Sequence, residues 1–157
     1  MYKSILVALD GSPWAESVLP FVEQIAGPLD LEVILLHVVQ PLPTTALAEV
    51  GRLGADDIRI RTAEIHDYLA PVAAELRGKG IRARSEVRVG EPSVEILAAA
   101  REAGADIVGM STHGRGGLSR MLIGSVADAV QRQATIPVFL MRTTERELAA
   151  RRRSASR

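Results

Sequence analysis

Residues 111 to 125, Ser-Thr-His-Gly-Arg-Gly-Gly-Leu-Ser-Arg-Met-Leu-Ile-Gly-Ser, hold the pattern with the most chemical content in the chain. Gly109, Gly114, Gly116, Gly117 and Gly124 lie in or beside this stretch, so its backbone can turn tightly and present bare N–H groups to an anion. An apolar segment, Asp106 to Met110, leads into it. At its far end Ser125-Val126-Ala127-Asp128 reads as a cap with a carboxylate three positions on, which puts the positive end of a helix dipole at Ser125. A strand, a glycine loop and a helix start in that order form a phosphate cradle. Gly124 is expected where phosphates pass closest to the backbone, so that valine there blocks a nucleotide and leaves the fold intact.

Other chemistries find less support. The Walker pattern G-x4-G-K-S/T is absent, and the glycine loop comes late, unlike the dinucleotide fingerprint that opens a Rossmann domain. His37, His66 and His113 are far apart with no ligand-like spacing, and there is no cysteine, so no protein metal site is expected. His37 reads as a packed strand residue and His66 as a helix-surface one. No Ser/His/Asp constellation can be assembled, and no catalytic residue is assigned. Arg115 and Arg120 are as well suited to facing solvent as to screening phosphate charge.

The elements that must position this loop follow from periodicity. Tyr2 to Leu9 is a short aliphatic run, then Asp10-Gly11-Ser12-Pro13 supplies a turn, a cap and a proline for the first helical position. The spacing predicts a helix from Pro13 to about Ala26, bent at Pro20 and stopped by Gly27-Pro28. Leu31 to Val39 is almost continuously hydrophobic, the mark of a strand covered on both faces. Gln40 to Ala55 is too long for an idle connection and is a candidate lid. A long helix from about Asp56 to Arg77, a strand over Ile81 to Val89, a helix over Val94 to Ala103, a strand at Asp106 to Met110, a short turn over Leu118 to Ile123, a helix from Ser125 to about Gln133 and a strand at Ile136 to Met141 complete the chain. Alternation of this kind predicts an α/β fold: a single doubly wound, mostly parallel five-stranded sheet, Rossmann-like, with helices on both faces, for which the strand order 3-2-1-4-5 is assumed. Ligands bind such sheets where the strand order reverses, so Asp10 and the segment from Met110 should face one crevice.

The 157 residues, 47% hydrophobic, suffice for one domain, expected at residues 1–142. There is no apolar run of bilayer length, the chain is expected to start at Met1 without a signal peptide, and cytoplasm is the expected location. Nineteen basic and nineteen acidic residues cancel, which argues against a specific nucleic-acid or membrane partner. Residues 143–157 hold five arginines against two glutamates and are expected to be a basic, disordered tail, dispensable for binding.

Ser111-Thr112-His113-Gly114, nine residues, then Gly124-Ser125 closely resembles the G-x2-G-x9-G-S/T nucleotide motif of the universal stress protein family, with Ser111 in the first glycine position. The resemblance runs from Lys3 to Arg142 and includes Ile5-Leu6-Val7-Ala8-Leu9-Asp10-Gly11-Ser12, Leu36-His37-Val38, Gly90-Glu91-Pro92 and the final Ile-Pro-Val strand. It implies an ATP-binding protein. Ala8 and Asp10 then match positions near the adenine, and Val38 a main-chain contact to the base. Met110, Ser111, His113 and Gly114 match the ribose and phosphate loop, and Gly124, Ser125 and Val126 the phosphate-facing helix start. Ser111 adds a Cβ and a hydroxyl where the ribose approaches. Magnesium or manganese would arrive with the phosphates. The uncharged run 136–141, expected at a sheet edge, predicts a homodimer through the last strand, an interface the resemblance also implies.

The leading expectation is a nucleotide-dependent stress-response module. A slow ATPase or autophosphorylating phosphotransferase on the same fold is the alternative, and a dimeric scaffold that does not bind nucleotide is the third.

Overall fold

The computed structural model describes residues 1–41, 53–112 and 123–155, without side chains at 53–55 and 151–155. Five strands form one parallel sheet: β1 (Ser4–Ala8), β2 (Glu32–Val39), β3 (Ala83–Val89), β4 (Ile107–Ser111) and β5 (Val138–Met141). Their order is β3-β2-β1-β4-β5, the order expected for this sheet. Among the described residues six helices connect and follow them: α1 (Pro13–Glu16), α2 (Leu19–Leu29), α3 (Leu53–Gly78), α4 (Pro92–Glu102), α5 (Ser125–Gln133) and α6 (Glu145–Ala155).

Side chains that alternate along β1 and β2 divide the core into two layers. Ile5, Val7, Val33 and Leu35 pack with Val18, Val22 and Ala26 around α2 and with Leu69, Ala73 and Leu76 of α3. Leu6, Ile34 and Leu36 point the other way, joining Ile96, Ala99 and Ala100 of α4 and Ala127 and Val130 of α5. β1 is therefore covered on both faces, and Ile5, Leu6 and Val7 are fully buried. At the amino end of the sheet, the Asp106 carboxylate accepts from the backbone N–H groups of Lys3 (2.7 Å) and Ser4 (3.1 Å), tying β1 to β4; these bonds hold its pKa below the usual range.

The two edges differ. β3 carries Arg84, Glu86 and Arg88, and Arg88 is bonded to Glu86 and, at 2.6 Å, to Glu102, which raises its pKa. β5 has no charged residue, and Phe139 stacks on Phe21 of α2 with ring centroids 4.2 Å apart and planes 7° from parallel.

Several boundaries depart from the sequence expectation. In place of one helix bent at Pro20 there are two. Ser12 caps α1 by accepting from Ala15 N–H at 3.1 Å, and Ser17 Oγ donates to the Trp14 carbonyl at 2.6 Å, closing the turn after Glu16. Pro20 falls in the first turn of α2, where a missing N–H costs nothing. Gly27-Pro28 does not stop α2, because Pro28 occupies its last turn and the left-handed Asp30 (φ 53°) ends it. α3 begins at Leu53, and the lid expected over Gln40 to Ala55 lies for the most part outside the described residues. The segment expected as a disordered tail contains α6, and Thr143 ahead of it is buried.

Glu91 caps α4 with a carboxylate that accepts from the Ser93 hydroxyl (2.6 Å) and Val94 N–H (2.8 Å). The hydroxyl contributes most, and both depress its pKa. A depressed carboxylate stabilises the fold above its ordinary pKa and loses that contribution as pH falls through the lowered value. Glu91→Gln should therefore cost about 1 kcal/mol in urea denaturation at neutral pH. The difference from the parent should shrink as pH falls below the ordinary glutamate pKa and through the lowered value.

Candidate functional site

The strand order reverses between β1 and β4, and their carboxyl ends set the site. Register fixes the levels: Ala8 pairs with Leu36, and Val7 with Gly109. Asp10, Val38 and Ser111 thus emerge at the same end of the sheet. A Cβ at Gly109 would lie 3.2 Å from Ile5 Cδ1, a contact that asks the Ile5 side chain to shift by a few tenths of an ångström. Asp10 Oδ1 accepts from Ser12 N–H at 2.9 Å, an Asx turn that folds the chain from β1 into α1 around the left-handed Gly11 (φ 78°).

Ala8, Val38, Met110 and Val126, which come from four separate elements, meet in the layer shared by α4 and α5. Ser111 closes β4 and is 7% exposed. His113 and Gly114 lie outside the described residues. On either side of them the chain is clasped: Thr112 N–H donates to the Met141 carbonyl at 2.9 Å, and Gly124 N–H donates to the Thr112 carbonyl at 2.7 Å. The glycine-rich stretch therefore leaves and re-enters the fold at one point. The pinning role of Thr112 is not visible in the motif, which treats that position as free.

One site residue shifts its role. Ser125, expected as the cap, is the first helical residue of α5, and the cap position belongs to Gly124. Gly124 supplies no side-chain cap, and Asp128, in place of completing a capping box, pairs with Arg132 at 2.6 Å, one turn on. α1 and α4 spend a serine and a glutamate on their first turns, whereas the first turn of α5 begins from a bare glycine. Its N–H groups have no acceptor within the helix, so they can serve an anion at the sheet end.

Among the described residues no group of three histidine, aspartate or glutamate side chains is arranged to hold a metal ion. His37 is 6% exposed, edge-on to the Tyr68 ring, and His66 is exposed on α3. A groove lined by Leu97, Arg101 and Ile136 lies at the opposite, amino end of the strands and shares no residue with the site. Among the described residues no helix is long and apolar enough to cross a membrane.

Residues 1–142 match the model of the Universal stress protein family. The chain is 31% identical over 151 residues to universal stress protein YxiE of Bacillus subtilis, spanning 90% of this chain and all of that one. It is 30% identical over 149 residues to universal stress protein MJ0531 of Methanocaldococcus jannaschii, spanning 94% of this chain and 86% of the relative. The solved structure of MJ0577, from the same archaeon, superposes with a TM-score of 0.83 at 30% identity, covering 92% of this chain and 99% of that one. A universal stress protein from Archaeoglobus fulgidus, solved in complex with dAMP, superposes with a TM-score of 0.64 at 27% identity, covering 88% and 97%.

The clasp changes what a side chain at Gly124 should do. Its φ of −57° suits any residue, but a Cβ would stand 3.1 Å from the Thr112 carbonyl oxygen, which is already bonded to Gly124 N–H. The sequence expectation of an unaffected fold is therefore revised. Gly124→Val should lower stability by about 1 to 3 kcal/mol in chemical denaturation, as overpacking against fixed backbone does.

Proposed function

This chain belongs to the universal stress protein family, and on that premise we propose that it is a cytoplasmic, ATP-binding module whose nucleotide occupancy regulates its interactions in a stress response. The observation that carries the reading is the glycine-capped α5 facing the β1/β4 reversal, joined to the strand by the Thr112–Gly124 clasp. Backbone donors on a fixed helix start suit a polyphosphate, whose charge the helix dipole favours. The half-buried apolar surface of Ala8, Val38 and Val126 suits a flat base, and the Asp10 carboxylate at the same end suits a ribose hydroxyl or the base edge. The dAMP complex of the Archaeoglobus fulgidus protein supports an adenine nucleotide as ligand. ATP would bring any magnesium or manganese with it, held by phosphates more than by protein. His113 and Gly114 are assigned to the phosphate loop by the motif alone.

Protein purified without added nucleotide and denatured should release an adenine nucleotide detectable by mass spectrometry. ATP titrated calorimetrically into emptied protein should bind and raise the thermal midpoint. No released nucleotide together with no ATP-dependent stabilisation overturns the reading.

We also propose a homodimer through β5. This edge strand is uncharged, its side chains are half-buried, and the Phe21–Phe139 stack lies beside it, whereas the opposite edge is armed with charges. Light scattering at roughly tens of micromolar, a concentration range where a modest interface associates, should give twice the chain mass. Val138→Lys should return it to the monomer mass.

A further inference from the structure

We infer that Thr143, through Ser17, is a positioning residue that fixes α1 and the Asp10 turn, so that a residue beyond the matched family region governs the shape of the proposed nucleotide site. Thr143 is 3% exposed and Ser17 4%. Thr143 Oγ1 donates to Ser17 Oγ at 2.8 Å, and Ser17 Oγ donates onward to the Trp14 carbonyl at 2.6 Å. α1 continues the series: Ser12 Oγ accepts from Ala15 N–H at 3.1 Å, and Ser12 N–H donates to Asp10 Oδ1 at 2.9 Å. A partly buried series of hydrogen bonds, joined through the Trp14–Ala15 peptide and the body of Ser12, thus runs from the residue two places after β5 to the carboxylate two places after β1.

The weight of that chain follows from the size of α1. Four residues make a single turn, and one turn cannot hold itself helical in water. Ala15 is buried in the core and Glu16 Oε1 accepts from Tyr68 Oη of α3 at 2.7 Å, and the two ends are gripped in addition. The leading end is gripped by Ser12 and Asp10, and the trailing end by Ser17, whose hydroxyl takes its incoming bond from Thr143. Exchanging the threonine for isosteric valine leaves buried oxygen on Ser17 without that donor, a loss that falls on α1 and not on the sheet.

The matched family region ends at Arg142, one residue before the latch. The expectation that everything after Arg142 can be removed without effect is therefore replaced: a chain ending there lacks the Thr143 hydroxyl. The inference rests in part on the nucleotide reading above, and its test separates the two. The chain has one tryptophan, Trp14, in α1 itself and with its carbonyl in the series, so intrinsic emission reports the placement of the turn with no ligand present.

The experiment compares the full-length parent with Thr143→Val, Thr143→Ser and Ser17→Ala, reading far-UV dichroism, Trp14 emission and ATP affinity. The expected result is an unchanged far-UV spectrum, a red-shifted Trp14 emission in Thr143→Val and Ser17→Ala, about a fivefold weaker ATP affinity in both, and recovery of both readouts in Thr143→Ser. A Thr143→Val protein with the parent's emission overturns the inference, as does a shift that serine fails to reverse. If Thr143→Val does not fold, Ser17→Ala against the parent decides by the same two readouts. If the parent itself binds no ATP while emission shifts and recovers as expected, the latch on α1 stands and the nucleotide reading falls.

Discussion

β1 is hydrogen-bonded on both edges and covered on both faces, and this single constraint organises the rest of the molecule. A strand enclosed on four sides has only its ends open to solvent. Its amino end is closed by the Asp106 carboxylate, bonded to the N–H groups of Lys3 and Ser4. What remains is the carboxyl end, where the chain on one side departs toward β2 and the neighbouring strand is β4. The loops after β1 and β4 must diverge there, because their following helices pack on opposite faces. The crevice is a geometric result of the strand order, and the local residues decide only what it accepts.

Those local residues divide the work between backbone and side chain. Backbone groups of Thr112, Met141 and Gly124 hold the base of the glycine-rich stretch. Gly109 spares the Ile5 side chain a shift, and Gly124 starts α5 without a side-chain cap. Hydroxyl and carboxylate side chains are spent instead on the opposite wall, where Asp10, Ser12 and Ser17 shape a turn too short to be stable by itself.

The strands were legible because burial writes itself into sequence: LEVILLHVV has the pattern of a strand enclosed on both faces, and the parallel sheet with its two helix layers follows the alternation of elements. Family membership was legible from spaced blocks that extend over the whole domain. What sequence patterns hid was decided by single hydrogen bonds. Periodicity runs smoothly from Pro13 to Ala26, and nothing in it signals that Ser17 will bond back to the Trp14 carbonyl and split the helix. Gly27-Pro28 has the composition of a stop, yet a proline in a last turn forfeits one bond while Asp30 supplies the left-handed end. Ser125 looks like a cap by residue type, and the clasp on Thr112 moves that position back by one. A charge-rich segment after β5 looks solvated throughout, and Thr143 is set apart only by a partner 126 residues earlier.

The unlike edges of the sheet bear on how copies of the chain can accumulate. Along β3, Arg84 reaches Glu32 at 3.4 Å and Arg88 is engaged by Glu86 and Glu102, so an incoming strand would meet ionic side chains already committed to one another. Among the described strands the β5 side alone offers backbone groups without such a guard. A protein with two receptive edges can recruit neighbours indefinitely and build ribbons, whereas one receptive edge is consumed by a single pairing event. At the described strands, sheet pairing that leaves the fold intact therefore stops after one such event.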